Sequence, residues 1–355
     1  MLPYYHIISK VSSYGSFHHL ITEATDSNKK QKYEPFLPFS YKVIYSMPRY
    51  ARAIQIQEDQ AAKPDWLRVR YPSGDDYEKI KGLLRTHNLH TVCEEAHCPN
   101  VAECWGGGTA TFMLMGDTCT RGCRFCMVKS GNPHGTLDLF EPMKVAEAIA
   151  DLGLRYVVIT SVDRDDLPDG GADHFALTIR SIKRRNPNVI TEVLIPDFQG
   201  NVDDVRKVVD AEPEVIAHNI ETTKSLNPTV RDPKATYEQS LHVLESIKTL
   251  NPSIYTKSSI MLGLGEVEHD VVATMKDLRI VDVSILTLGQ YLRPSKGHIP
   301  VSEYVSPAKF EHYKHLAEKL GFLYVASGPF VRSSYRAGEF FLEALIRKKR
   351  LTAEN

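Results

Sequence analysis

No stretch of the 355-residue sequence reaches about 20 consecutive apolar residues, so no membrane span is expected. Neither charge is in surplus: 43 Lys and Arg face 44 Asp and Glu, a formal net charge of −1, which offers nothing to a general nucleic-acid binder. No secretory signal is visible, so an oxidising compartment is not indicated. The first 22 residues lack Asp and Glu, as a mitochondrial transit peptide would. They carry one Lys and no Arg, however, where such peptides are Arg-rich. The expectation is a cytoplasmic protein, with the mitochondrial matrix as alternative if the start is a transit peptide. Residues 1–62 show neither helical nor strand period and read as a poorly defined extension, with Met47 opening a plausible shorter chain. No internal repeat is visible. No cysteine lies outside residues 93–126, although the chain holds six.

Those six fall into two triplets. Cys93, Cys98 and Cys104 are separated by four and five residues; Cys119, Cys123 and Cys126 by three and two. Converging thiolates serve disulfides, zinc or iron–sulfur clusters. A chain this long, 42% hydrophobic, can bury a full core without disulfide staples. Structural zinc takes four ligands, often in two C-x2-C pairs, and neither triplet closes such a site alone. Six thiolates could still bridge two zinc ions, which keeps a zinc-organised binding module without catalysis as a rival. In a 4Fe–4S cubane, three thiolates leave one iron without a protein ligand, open to the nitrogen and oxygen donors of a small molecule.

From about residue 109 the pattern alternates short apolar strands with amphipathic helices. TATFMLM, RYVVIT, NVITEVLI, EVIAHNIET, SIYTKSSIML and VSILTLGQYL read as strands, with FLYVAS behind the last helix. EPMKVAEAIADLG, ADHFALTIRSIKRRN, VDDVRKVVDA, TYEQSLHVLESIKTL, EVEHDVVATMKDLRI and SPAKFEHYKHLAEKLG read as helices. Near-continuous apolar strands between helices imply a parallel sheet covered by helices, with right-handed crossovers. Upstream, KPDWLRVRYPSGDDYEKIKGLLRTHNLHTVC reads as an extended arm and then a helix, its apolar face at Tyr77, Ile80, Leu83 and Leu84.

The polar motifs fall at the predicted carboxyl ends of strands, where such folds bind ligands. CTRGCRFC follows the first strand, and Ser161, Asp163, Arg164, Asp165 and Asp166 follow the second. Asn219 and Glu221 end the fourth, Gly263, Gly265 and Glu266 follow the fifth, and Gln290, Arg293 and Ser295 follow the sixth. Five Asp between 163 and 173 would also suit a calcium loop or helix capping. His134, His242 and His298 have no ligand spacing and read as structural or exposed, and Arg347 to Arg350 as a solvated helix end. In GPFVRSSYRAG, two serines between arginines would ordinarily read as a helix cap.

CEEAHCPNVAECW, GDTCTRGCRFC, TSVDRDDLPDGGADHF and GPFVRSSYRAGE together resemble the lipoyl synthase family of radical S-adenosylmethionine (SAM) enzymes, from about Trp66 to Glu339. The resemblance implies a partial (β/α)6 TIM-type barrel with N- and C-terminal extensions carrying an auxiliary cluster. It divides the chain into an extension (1–62), an arm with the first triplet (63–108), the barrel (109–327) and a C-terminal strap (328–355). It implies a 4Fe–4S cluster on Cys119, Cys123 and Cys126, with the family's aromatic before the last cysteine present as Phe125. That cluster reduces SAM, and the deoxyadenosyl radical abstracts hydrogen from carbons 6 and 8 of a protein-bound octanoyl-lysine. Thr160, Ser161 and Asp163 stand where the family holds the methionine amino group, with Asn219 and Glu221 as further SAM or substrate contacts. A second 4Fe–4S cluster on Cys93, Cys98, Cys104 and a serine of RSSY, Ser334 ahead of Ser333, would donate both sulfurs. The partners implied are octanoylated lipoyl carrier domains (the 2-oxoacid dehydrogenase acyltransferase subunit and the glycine cleavage H protein), an electron donor such as ferredoxin or flavodoxin, and an iron–sulfur carrier for cluster repair. The nearest rival, another radical SAM sulfur-insertion or methylthiolation enzyme, would share the second triplet but have no need of RSSY.

Overall fold

A computed structural model describes residues 63–67, 75–96, 98–106, 111–334 and 343–348. The chain divides between Asp59 and Gln60, and every described residue belongs to the second unit. The readings made for residues 1–62, and for Tyr335 and the residues after it up to 342, lie outside the described residues.

The arm comprises α1 (Asp75–His87), β1 (His90–Thr91), α2 (Val92–Glu95) and α3 (Val101–Gly106). Ile80 and Leu84 of α1 are buried, and Tyr77 lies against Trp105 with ring centroids 5.0 Å apart, so the apolar face read from sequence packs the arm's own core. The barrel follows as β2 (Thr111–Leu114), β3 (Thr118–Cys119), β4 (Lys129–Ser130), α4 (Glu141–Leu152), β5 (Tyr156–Ser161), α5 (Ala172–Arg185) and β6 (Ile190–Leu194). Next come α6 (Val202–Val209), β7 (Val215–Ala217), α7 (Asn227–Val230), α8 (Tyr237–Leu250), β8 (Tyr255–Leu262), α9 (Glu268–Ile280), β9 (Ile285–Gln290), α10 (Pro307–Lys319) and β10 (Tyr324–Gly328).

The main sheet runs β1-β2-β5-β6-β7-β8-β9-β10. Only β1 pairs antiparallel; every other neighbour is parallel. Six βα units are present as read, and β10 adds a seventh parallel strand. β1 and β10 stand at opposite ends of the order, so hydrogen bonding between described strands leaves the barrel open.

Alternation along the strands separates two environments. Val157 and Ile159 of β5 join the layer under α4 and α5, whereas Tyr156 and Val158 face inward with Ile190, Val215 and Ile285. Ile346, in the helical turn at 343–348, is buried among these inward residues. Above them, Lys257 meets Glu192 at 2.6 Å, and the Tyr156 hydroxyl donates to the same carboxylate at 2.5 Å. A buried ion pair persists only when satisfied on both sides. This one gives the barrel interior a polar layer below the carboxyl ends of the strands.

One strand departs from expectation. EVIAHNIET keeps only Val215–Ala217 as β7. Beyond it the Ile220 N–H donates to the Ser258 hydroxyl, and Glu221 adopts a left-handed φ of 67°, with a single bridge to Ile260. Asn219 and Glu221 therefore lie past the strand rather than at its end.

Candidate active site

At the carboxyl ends of the strands opens a cavity of about 570 Å³, lined by Ser161, Leu194, Met261 and Gln290 from the tips of β5, β6, β8 and β9. Both cysteine triplets line it, as do Phe125, Thr160, Asp163, Asn219, Glu221, Ser333 and Ser334. The residues that the resemblance assigned to clusters or SAM are thus brought to one chamber, whereas Arg164, Asp165, Asp166, Gly263, Gly265, Glu266 and Ser295 do not line it.

The first triplet is held by local backbone turns. Thr91 caps α2 by accepting from Glu94 N at 3.3 Å, the Cys98 N–H donates to Cys93 O at 3.1 Å, and the Cys104 N–H to Asn100 O at 2.9 Å. In the second, the Cys126 N–H donates to Cys123 O at 3.1 Å, and the Arg121 N–H points at Cys119 Sγ, 3.4 Å away. The Asp232 N–H reaches Cys123 Sγ at 3.3 Å. Burial pushes Cys119 and Cys126 up to about 12, and Cys123 and Cys93 to about 11; the Asp163 charge adds to the rise at Cys119. Without a metal these thiols hold their protons, so cluster binding releases them.

Arg121 locks the second loop to the barrel. Only 2% exposed at its side chain, it donates to Asp197 at 2.5 and 2.6 Å and to Asp165 at 3.1 and 3.0 Å, with Asp163 at 3.5 Å. Burial raises Asp197, but the Arg121 hydrogen bonds and charge more than reverse this and leave its carboxyl below the ordinary range. Asp163 goes the other way: burial outweighs Arg121, the charges of Asp197 and Asp165 add to it, and it reaches about 6. The remaining acids of that loop are also partnered, with Lys207 shared by Asp169 and Asp173. Asp166 pairs with Arg164 at 2.8 Å, Asp169 accepts from Gly171 N and Asp173 N at the start of α5, and Asp173 meets Lys207 at 3.2 Å. The five aspartates are dispersed to separate tasks rather than gathered into a calcium loop.

Around Asn219 the cavity holds unspent hydrogen-bonding capacity. Its Nδ2 donates to Glu221 at 3.1 Å, while its buried Oδ1 has no partner. Arg231 donates from its terminal nitrogen to Ser240 at 2.7 Å, while its buried Nε has none. Burial raises Glu221, against the pull of Arg231. Buried polar atoms are nearly always satisfied, so an unpaired acceptor and an unpaired donor on one cavity wall fit a ligand bearing both an ammonium and a carboxylate. Thr160 and Ser161 donate their hydroxyls to Leu194 O and Val162 O, which leaves them only lone pairs to offer. Burial and the Arg231 charge lower His218 to about 4, so it is neutral; its Nδ1–H donates to Ile195 O, and its Nε2 accepts from Ser240.

The C-terminal segment returns beside the first triplet. Asn100 Nδ2 donates to Phe330 O at 2.6 Å, and the Arg332 charge acts on Cys98. Ser333 and Ser334 sit in a turn rather than an extended segment, so alternation of neighbouring side chains does not choose between them.

The donors suit clusters. Each triplet offers three soft sulfurs and no fourth. Among the described residues, no three of His, Cys, Asp and Glu converge on one metal-ion position. A cubane instead gives each thiolate its own iron. Sequence reasoning missed Arg121 and Asp197, whose partners are far apart in the chain, and Arg231, which bonds Ser240 nine residues on and lines the cavity. His298 is structural, as read: its Nε2 donates to Cys126 O at 2.9 Å while Ser295 donates to its Nδ1 at 2.8 Å.

Comparison with known proteins agrees with this chemistry. The model of the N-terminal domain of lipoyl synthases matches residues 40–98, and the radical SAM superfamily model matches residues 113–278. A lipoyl synthase of Anaeromyxobacter dehalogenans (strain 2CP-C) is 60% identical over 289 residues, 81% of this chain and 98% of its own. A mitochondrial lipoyl synthase of Culex quinquefasciatus is 56% identical over 302 residues, 84% of this chain and 80% of its own. Among solved structures, methylornithine synthase aligns over 75% of this chain and 86% of its own at 12% identity and a TM-score of 0.47, a distance from which nothing about activity transfers.

Proposed function

The chain belongs to the lipoyl synthase family of the radical SAM superfamily, and from that premise we propose how its residues divide the work of sulfur insertion. It is a sulfur-inserting radical SAM enzyme whose substrate is a protein-bound octanoyl group. Cys119, Cys123 and Cys126 would hold one 4Fe–4S cluster; Cys93, Cys98, Cys104 and a serine oxygen, Ser334 ahead of Ser333, would hold a second. When bound, these clusters supply the electron that cleaves SAM and the two sulfurs placed at carbons 6 and 8.

The protein's own share is positioning. Arg121 fastens the second loop to two strand ends. Asn219 Oδ1 would accept from the amino N–H of SAM, Arg231 Nε would donate to its carboxylate, and Glu221 keeps Asn219 oriented. Thr160, Ser161 and Asp163 shape the floor, and Phe125 packs beside Val230, Leu264 and Tyr291. The strap at 328–334 covers the first triplet and excludes water.

The observation that carries this reading is the joint lining of one cavity by both triplets and the two serines. The test is anaerobic incubation of reconstituted protein with SAM, dithionite and an octanoyl-lysine peptide. Mass spectrometry should find two sulfurs added and 5′-deoxyadenosine released. A colourless, zinc-loaded protein that releases none would sink the reading.

The partners follow from the same chemistry: an octanoylated lipoyl carrier domain, of the acyltransferase or H-protein kind, presents the chain. A ferredoxin or flavodoxin supplies electrons, and an iron–sulfur carrier rebuilds the consumed cluster. Cytoplasm is the compartment we favour, with the matrix as the second reading; fractionation of cells expressing the tagged full chain decides between them.

A further inference from the structure

Three exposed bases surround the second cysteine loop. Arg124 lies inside it, Lys129 three residues beyond Cys126, and Lys296 two residues before His298. The His298–Cys126 hydrogen bond at 2.9 Å and the bond from Ile299 N to Arg124 O at 3.3 Å hold the 296–299 segment against the loop. All three bases therefore sit within three residues of one contact.

Several lysines elsewhere at this end of the barrel are neutralised, while Arg231, Arg293 and Arg332 turn to a hydroxyl or backbone carbonyls. Lys144 pairs with Asp138 at 2.6 Å, Lys224 with Glu238 at 2.8 Å, and Lys234 with Asp165 at 3.1 Å. Among the described residues, Arg124, Lys129 and Lys296 form no ion pair, and the Arg124 guanidinium donates only to the Thr229 carbonyl. Two acids nearby lessen the surplus without forming an ion pair with these bases: Asp232 accepts from the backbone of Gly122 and Lys234, and the charges of Asp117 and Lys129 act on each other. The chain's net charge is −1, so this positive surplus is local. Gly122, the neighbour of Cys123 in the loop, is exposed, and its N–H donates to Asp232 at 2.8 Å.

We propose that this face is the docking surface of an acidic one-electron carrier protein. The proposal rests on the radical SAM reading of the loop, which requires one electron for each SAM cleaved; the carrier is oxidised by one equivalent each time. Electron transfer weakens steeply with distance, so the entry point is the surface nearest the thiolates, and here that surface carries unpaired positive charge. Complementary rim charges speed encounter and fix orientation, and salt screens both.

The experiment uses the reconstituted full chain and a purified flavodoxin of acidic surface. Binding is measured at low and at high salt, and 5′-deoxyadenosine release is measured with flavodoxin and with dithionite. Replacing all three bases (Arg124→Glu, Lys129→Glu, Lys296→Glu) should weaken flavodoxin binding at least about tenfold and flatten its salt dependence. Dithionite-driven release should be unchanged. Should the reversal lower iron loading, the Gln set at the same positions decides, with a smaller loss of flavodoxin affinity at full loading. Unchanged flavodoxin affinity and flavodoxin-driven turnover in both sets overturn the proposal. So does a loss confined to binding of an octanoylated carrier domain, which would assign the face to the substrate. A parent protein that cleaves no SAM even with dithionite removes the premise, and the proposal with it.

Discussion

Asn100 Nδ2 donates to the carbonyl oxygen of Phe330 at 2.6 Å, joining two residues 230 apart in sequence. This bond, from the buried Asn100, ties the arm that carries the first triplet to the strap that carries the serines. One residue on, the Val331 carbonyl rests directly on Gly289 of β9, where a Cβ would collide with it. The strap is thus seated on bare backbone.

Gly289→Ala should lift the strap from its seat. The expected outcome is a large drop in sulfur-containing product per 5′-deoxyadenosine released, with SAM cleavage itself retained. Asn100→Ala should act in the same direction and more weakly, by about 1–3 kcal/mol of strap attachment. Unaltered coupling in both variants would mean that the strap's position does not matter.

The two triplets should separate. Either Cys98→Ala or Cys123→Ala should cut bound iron from roughly eight to roughly four per chain. Cys123→Ala should end 5′-deoxyadenosine formation, whereas Cys98→Ala should keep it and yield no sulfur product. Lipoyl product from Cys98→Ala would disprove the sulfur-donor assignment.

Ser334→Ala should abolish sulfur insertion while sparing uncoupled SAM cleavage, and Ser334→Cys should hold a cluster more tightly and slow sulfur release. An active Ser334→Ala beside a dead Ser333→Ala moves the ligand one residue back. Full activity in both removes serine ligation.

Arg121→Met leaves the buried Asp197 and the partly buried Asp163 without their cation. Unpairing buried charge costs about 3–5 kcal/mol. Chemical denaturation of the apo-protein should show a loss of that order, and Arg121→Lys should recover little, because a lysine cannot fork to two carboxylates at once.

Asp166 supplies a pH dependence. Its hydrogen bonds from Arg164 hold the carboxyl at about 2, below the ordinary value. A depressed carboxylate stabilises the fold above its unfolded pKa and loses that contribution as pH falls through the folded one. Stability should therefore drop between about pH 4 and pH 2, and Asp166→Asn should flatten that part of the curve, as followed by denaturant midpoint against pH.

Much of this was legible in one dimension, because the signals are local. Cysteine spacing is a property of a few neighbouring residues, and strand–helix alternation is written in periods of 2 and 3.6. All six βα units and both triplets followed from those signals. The shortened β7 did not, because the Ser258 hydroxyl diverts Ile220 N–H from the ladder, and that contact spans 38 residues. Nor did Arg121, whose acids come from loops 44 and 76 residues away, or the unpaired Nε of Arg231, which lines the same cavity as Asn219. His298 read as structural or exposed, and only the fold lays it 172 residues back against Cys126. Such pairings are settled only when each helix returns the next strand to the sheet and brings its loop to the same end. The sequence alone therefore determined which candidate ligands exist, and the tertiary structure decided which groups lie around them.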